Sequence, residues 1–89
     1  YFIAKNRIDL SDAGVIDRIL NSLKEHFKNE KINTIDGVKI DFEKDRTWVH
    51  LRKSNTEPII RVYSEAPSEK QAVELGQQVV ELAKQIIAH

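Results

Sequence analysis

The 89-residue chain contains no cysteine and no methionine. Without thiols it can have neither a disulfide framework nor a thiolate metal site. Glycine occurs three times and proline twice, which leaves no linker or low-complexity tract. Neither charge is in excess: 14 Lys and Arg balance 14 Asp and Glu. A general nucleic-acid binder carries a basic surplus, so the balance argues against that class while permitting a local cationic spot. No apolar run approaches the ~20 residues of a membrane-spanning helix, and no signal-peptide pattern is present. His26, His50 and His89 are far apart with no helical i,i+4 pair, so the histidines predict no metal site. The chain begins at Tyr1 rather than Met, as expected of a piece of a longer protein or of a processed one.

What is there reads as one small domain. Phe2 to Ile8 is a short strand. Asp9 or Ser11 can cap a helix, because a short oxygen side chain accepts from the first free N–H groups. Val15, Ile16, Ile19, Leu20, Leu23 and Phe27 recur at helical spacing and form one apolar stripe. Ile32 to Ile35 is a strand, and Asp36-Gly37 marks a tight hairpin turn with positive φ at both central residues. Val38, Ile40 and Phe42 alternate with Lys39, Asp41 and Glu43, the pattern of a half-buried strand. Thr47 to Leu51 and Ile59 to Ser64 are two more strands. Ser68 with Gln71 forms a capping box. The last helix then buries Ala72, Gly76, Val79, Val80, Ala83, Ile86 and Ile87, with Leu75 and Leu82 widening the face.

These elements predict an α+β domain: a largely antiparallel four- to five-stranded sheet with two helices on one face. The other sheet face is more polar, as for a surface that meets water or another domain. Trp48 and Tyr63 fit sheet packing or an interdomain contact.

Between the last two strands lies Arg52-Lys53-Ser54-Asn55-Thr56-Glu57-Pro58. Pro58 cannot donate a ladder hydrogen bond and suits the first position of a strand. A phosphate monoester is a dianion with several acceptor oxygens. Arg52 offers a guanidinium fork that matches two of them. Ser54 and Thr56 offer hydroxyls, Asn55 an amide, and consecutive N–H groups in a turn can make an anion nest. The plainer reading is a surface turn whose Ser, Asn and Thr bond their own backbone. Glu57 would repel a phosphate and so points away, towards Arg61 or Lys53. Arg61 is either that partner or a second phosphate ligand, and Lys53 is solvated.

Arg52 to Pro58, followed by Ile59-Ile60-Arg61-Val62-Tyr63-Ser64-Glu65-Ala66, resembles the C-terminal domain of the α-D-phosphohexomutases. The likeness extends upstream through Asp36-Gly37-Val38-Lys39-Ile40 and Trp48-Val49-His50-Leu51, and downstream into the last helix. The resemblance implies a fold similar to the TATA-box-binding protein, in the fourth domain of a cytoplasmic four-domain enzyme. Such an enzyme interconverts hexose 1- and 6-phosphates through a bisphosphate intermediate. Its phosphoserine, its Mg²⁺ site and its sugar-recognition loop belong to the other domains, so this chain alone should hold no cofactor and have no mutase activity. By position, Arg52, Ser54, Asn55 and Thr56 become contacts of the phosphate that is not being transferred, with Arg61 as a further candidate. The implied partners are a hexose phosphate and the other domains, with no membrane and no nucleic acid. Asn55 stands where phosphoglucosamine mutases usually have glycine, which points to the phosphomannomutase/phosphoglucomutase branch, with the same domain of a phosphoglucosamine mutase, or a non-enzymatic protein- or nucleic-acid-binding module, as the alternative.

Overall fold

A computed structural model describes residues 1–10 and 14–88. Its elements run β1 (Phe2–Asp9), α1 (Gly14–His26), β2 (Lys31–Asn33), β3 (Val38–Phe42), β4 (Thr47–Lys53), β5 (Ile59–Ala66) and α2 (Glu69–Ala88). The strands form one antiparallel sheet in the order β1-β5-β4-β3-β2. The fold is therefore α+β, with five strands and two helices.

Side chains alternate across the sheet because successive residues of a strand point to opposite faces. One face carries Ile8, Val38, Ile40, Val49, Leu51, Ile60 and Val62, which join Ile16, Ile19, Leu20 and Leu23 of α1 and Val79 and Ala83 of α2 in a single core. Arg18 of α1 donates to the Ile86 carbonyl at 2.7 Å, tying the two helices together and satisfying a carbonyl of the last turn of α2. Gly76 lets α2 lie close to the sheet. A Cβ there would sit 2.6 Å from Asn6 Nδ2 and 2.8 Å from Ser64 Oγ. Ser64 is the buried polar group of this layer, and its hydroxyl donates to the Ala72 carbonyl at 2.7 Å.

Several local expectations are corrected. Asp9 does not cap α1: it ends β1 opposite Ile59, and its carboxylate pairs with Arg7. Ser11, the other candidate cap, lies outside the described residues. Thr34 and Ile35 are not in β2. The Asn33 side chain accepts from the Ile35 N–H at 2.9 Å, which turns the backbone out of the ladder and leaves Ile35 92% exposed. The β2–β3 connection therefore spans residues 34–37, and only Gly37 has positive φ, at 74°. It is a four-residue loop rather than a tight two-residue turn. At the far end of α2, Ile87 is exposed rather than buried.

The α2 cap forms in half. The Gln71 N–H donates to Ser68 Oγ at 3.2 Å, and Ser68 Oγ in turn donates to Gln71 Oε1 at 3.1 Å, so the glutamine holds the hydroxyl rather than the Ser68 backbone. Replacing Ser68 by alanine should lower stability by about 1 kcal/mol. Urea unfolding with an unchanged slope would register this as a lower midpoint.

Candidate anion-binding site

Of the sequence-predicted residues, Arg52 and Arg61 stand on the sheet face away from the helices, and Ser54, Asn55 and Thr56 lie in the connection between their strands. Strand register decides which of them stand side by side. Arg52 of β4 lies directly opposite Arg61 of β5, so both occupy the same open face on neighbouring strands. Both are exposed. The strands are ~4.8 Å apart, so one small anion can be reached by both side chains.

The connection from β4 to β5 carries Ser54, Asn55 and Thr56. It is closed by the Ser54 N–H donating to the Ile59 carbonyl at 3.1 Å and the Ile59 N–H donating to the Glu57 carbonyl at 2.8 Å. Inside it, the Thr56 N–H donates to Ser54 Oγ at 3.3 Å, and the two hydroxyls of Ser54 and Thr56 lie 3.3 Å apart. These contacts match the self-bonded turn that composition alone allows. They are long, so both hydroxyls can turn to a better acceptor at little cost. Asn55 is exposed and its side chain makes no hydrogen bond among the described residues.

The structure adds Asp36, whose part at this site the sequence did not reveal, and joins His50 to it. Asp36 Oδ2 lies 3.1 Å from Arg52 Nη2, although Asp36 reads in the sequence only as a turn former. His50 Nε2 donates to the Asp36 carbonyl at 2.5 Å. Together with Gly37 they bring the β2–β3 loop against the end of β4. Pairing between residues 14 and 16 positions apart has no local signature, so only the register exposes it.

Glu57 forms no ion pair with Arg61 or Lys53 among the described residues. Lys53 is exposed, on the opposite side of β4 from Arg52. Trp48 is part of the sheet surface: its indole N–H donates to Glu65 Oε2 at 2.6 Å and Lys39 Nζ lies 5.0 Å over its ring. Tyr63 is half-buried opposite His50. Among the described residues no three His, Asp or Glu side chains converge as a cation site.

A family model described as "Phosphoglucomutase/phosphomannomutase, C-terminal domain" matches residues 8–82. A probable phosphoglucosamine mutase of Pyrococcus horikoshii is 38% identical over 73 residues, covering 82% of this chain and 16% of that protein. A phosphoglucomutase/phosphomannomutase of Thermococcus kodakarensis is 52% identical over 59 residues, covering 63% of this chain and 12% of that protein. A phosphomannomutase of Methanocaldococcus jannaschii is 37% identical over 70 residues, covering 79% and 15%. The chain thus spans less than a fifth of the length of the curated relatives it matches. By this match the chain belongs to the phosphoglucomutase/phosphomannomutase family, as its C-terminal domain.

Proposed function

We propose that this chain is the substrate-phosphate-binding domain of a phosphohexomutase, and that Arg52, Ser54, Asn55, Thr56 and Arg61 hold the phosphate that is not being transferred. The observation that carries the reading is the side-by-side placement of Arg52 and Arg61 next to a loop with two hydroxyls and a free amide. Two guanidinium groups facing each other across a ladder repel unless an anion lies between them. A phosphate monoester supplies that anion and accepts from both forks.

The domain's chemical contribution is positioning. Phosphoryl transfer needs a nucleophile and a charge-stabilising metal at the reacting phosphorus. On this reading both belong to other domains of a larger enzyme, and the isolated chain is inactive as a mutase. Holding the distal phosphate fixes the sugar so that its other end meets the reacting groups in a productive pose. Asn55, standing where the resemblance puts glycine in phosphoglucosamine mutases, favours a hexose phosphate of the mannose or glucose series over an aminosugar phosphate. The named relatives include both kinds.

Affinity of the domain alone is expected to be weak. Each charge-assisted bond contributes about 1.5–3 kcal/mol, against an association cost of ~4–15 kcal/mol, so a dissociation constant on the order of millimolar follows. Titration of the ¹⁵N-labelled chain with glucose 6-phosphate should move the amide signals of residues 52–56 and the Arg61 side-chain signal. A silent loop at ~20 mM ligand, a concentration well above that expected constant, would overturn the assignment.

A further inference from the structure

The row of guanidinium groups does not stop at Arg61. Arg7 of β1 is the register partner of Arg61, as Arg61 is of Arg52. Three arginines therefore stand in one line across β1, β5 and β4, all exposed and on the same face. The spacing of ~4.8 Å per strand puts the outer two about 10 Å apart with Arg61 between them. Like charges directly opposite one another destabilise a sheet, so the row needs compensation.

The compensation is uneven. Arg7 Nε lies 3.4 Å from Asp9 Oδ1 and Arg52 Nη2 lies 3.1 Å from Asp36 Oδ2. Arg61, in the middle, forms no ion pair within 4.0 Å among the described residues. Each outer arginine thus has a carboxylate, and the central one has none. A second observation ties Arg7 to the same place. The Leu10 N–H, one residue beyond β1, donates to the Pro58 carbonyl at 2.9 Å, pinning the end of β1 to the β4–β5 loop.

We propose that Arg7 is a third guanidinium of the phosphate site, reaching a dianionic phosphate monoester from the side of Arg61 opposite Arg52. This rests on the reading that the β4–β5 loop holds the phosphate. Asp9 and Asp36 are the resident counter-ions of the row. When the dianion arrives over Arg61, Arg7 and Arg52 turn part of their forks to it and keep the rest on the carboxylates, since a guanidinium has five N–H donors.

The test compares Arg7→Gln with Lys5→Gln. Lys5 lies on the same strand and face, one row further along opposite Tyr63, and removes the same charge. Glucose 6-phosphate and inorganic phosphate are titrated into the ¹⁵N-labelled chain, read at the amides of residues 54–56. Arg7→Gln should raise the dissociation constant threefold or more for both anions, Lys5→Gln by less than half that factor, and Arg7→Lys should fall between. Equal effects of Arg7→Gln and Lys5→Gln would reduce Arg7 to part of the general field and overturn the proposal. Arg52→Ala separates the two readings. If it weakens binding while Arg7→Gln does not, only the role of Arg7 fails. If it leaves binding unchanged, the loop assignment fails first. An unaltered spectrum for the helices and for β2 and β3 in Arg7→Gln shows that the fold is kept.

Discussion

Replacing Arg52 by alanine is expected to weaken phosphate holding by about 10- to 100-fold, the equivalent of one charge-assisted hydrogen bond at ~1.5–3 kcal/mol. The loss has two sources. The first is the fork itself, which no hydroxyl of the loop can replace. The second is Asp36. With Arg52 gone, its carboxylate stays near the site, still anchored through the His50 bond to its carbonyl and now without its counter-ion. It then repels the incoming dianion. Arg52→Lys keeps the charge but loses the bidentate geometry, so it should recover only part of the affinity.

The Asp36 contribution can be separated in a double-mutant cycle. In the Arg52→Ala background, Asp36→Asn should restore affinity by a few-fold, because it removes the repulsion. In the wild-type background its effect should be smaller, because an exposed ion pair contributes only about 0–1 kcal/mol. In a full-length mutase carrying this domain, Arg52→Ala should raise KM and lower kcat/KM. Kinetics that match the parent enzyme would refute the role.

The sequence shows those features that have a local period or a local motif. The alternation of Val38, Ile40 and Phe42 and the stripe of Ile16, Ile19, Leu20 and Leu23 come through as read, and the Ser68–Gln71 capping box comes through in its Ser68 half. The Arg52–Thr56 stretch stands out because its donors are contiguous. What does not come through depends on register or on competition between local hydrogen bonds. Ile35 has the side chain of a strand residue, but Asn33 captures its N–H and takes it out of the sheet. Asp9 looks like a helix cap, but the ladder with β5 extends to it and Arg7 claims its carboxylate. Arg7 itself carries no signal in the sequence, because an arginine in a half-exposed strand is ordinary. It becomes informative only when β1 is known to lie beside β5 and pairing puts residue 7 opposite residue 61. Asp36 has the sequence signature of a turn residue, and its contact with Arg52 follows from the way that turn folds onto β4.

That folding back depends on Gly37, and substitution there is expected to have the largest effect on stability. Gly37 sits at φ 74°, and a Cβ built on it would lie 2.2 Å from the Leu51 carbonyl oxygen and 3.3 Å from Arg52 Cα. Two costs combine in Gly37→Ala. The left-handed backbone costs an alanine about 1–2 kcal/mol. The contact is with β4 backbone at a buried position, so it cannot be relieved by rotating a side chain; either the loop or the edge of β4 must shift. A total of about 2–4 kcal/mol is expected, in the range reserved for strain at special backbone positions. Against a typical stability of ~5–15 kcal/mol, this predicts a melting temperature lower by ~10 °C or more. The same shift would pull Asp36 away from Arg52 and break the His50 bond, so the variant should also lose the order of the Arg52 side-chain signal at temperatures where it is still folded. Asp36→Ala gives the comparison: it removes the carboxylate and leaves the turn, so it should free Arg52 with little change in melting. If Gly37→Ala melts within ~2 °C of the unsubstituted chain, a difference of only a few tenths of a kcal/mol, the close approach of this loop to β4 is not a constraint on the fold, and Arg52 is held by some other means.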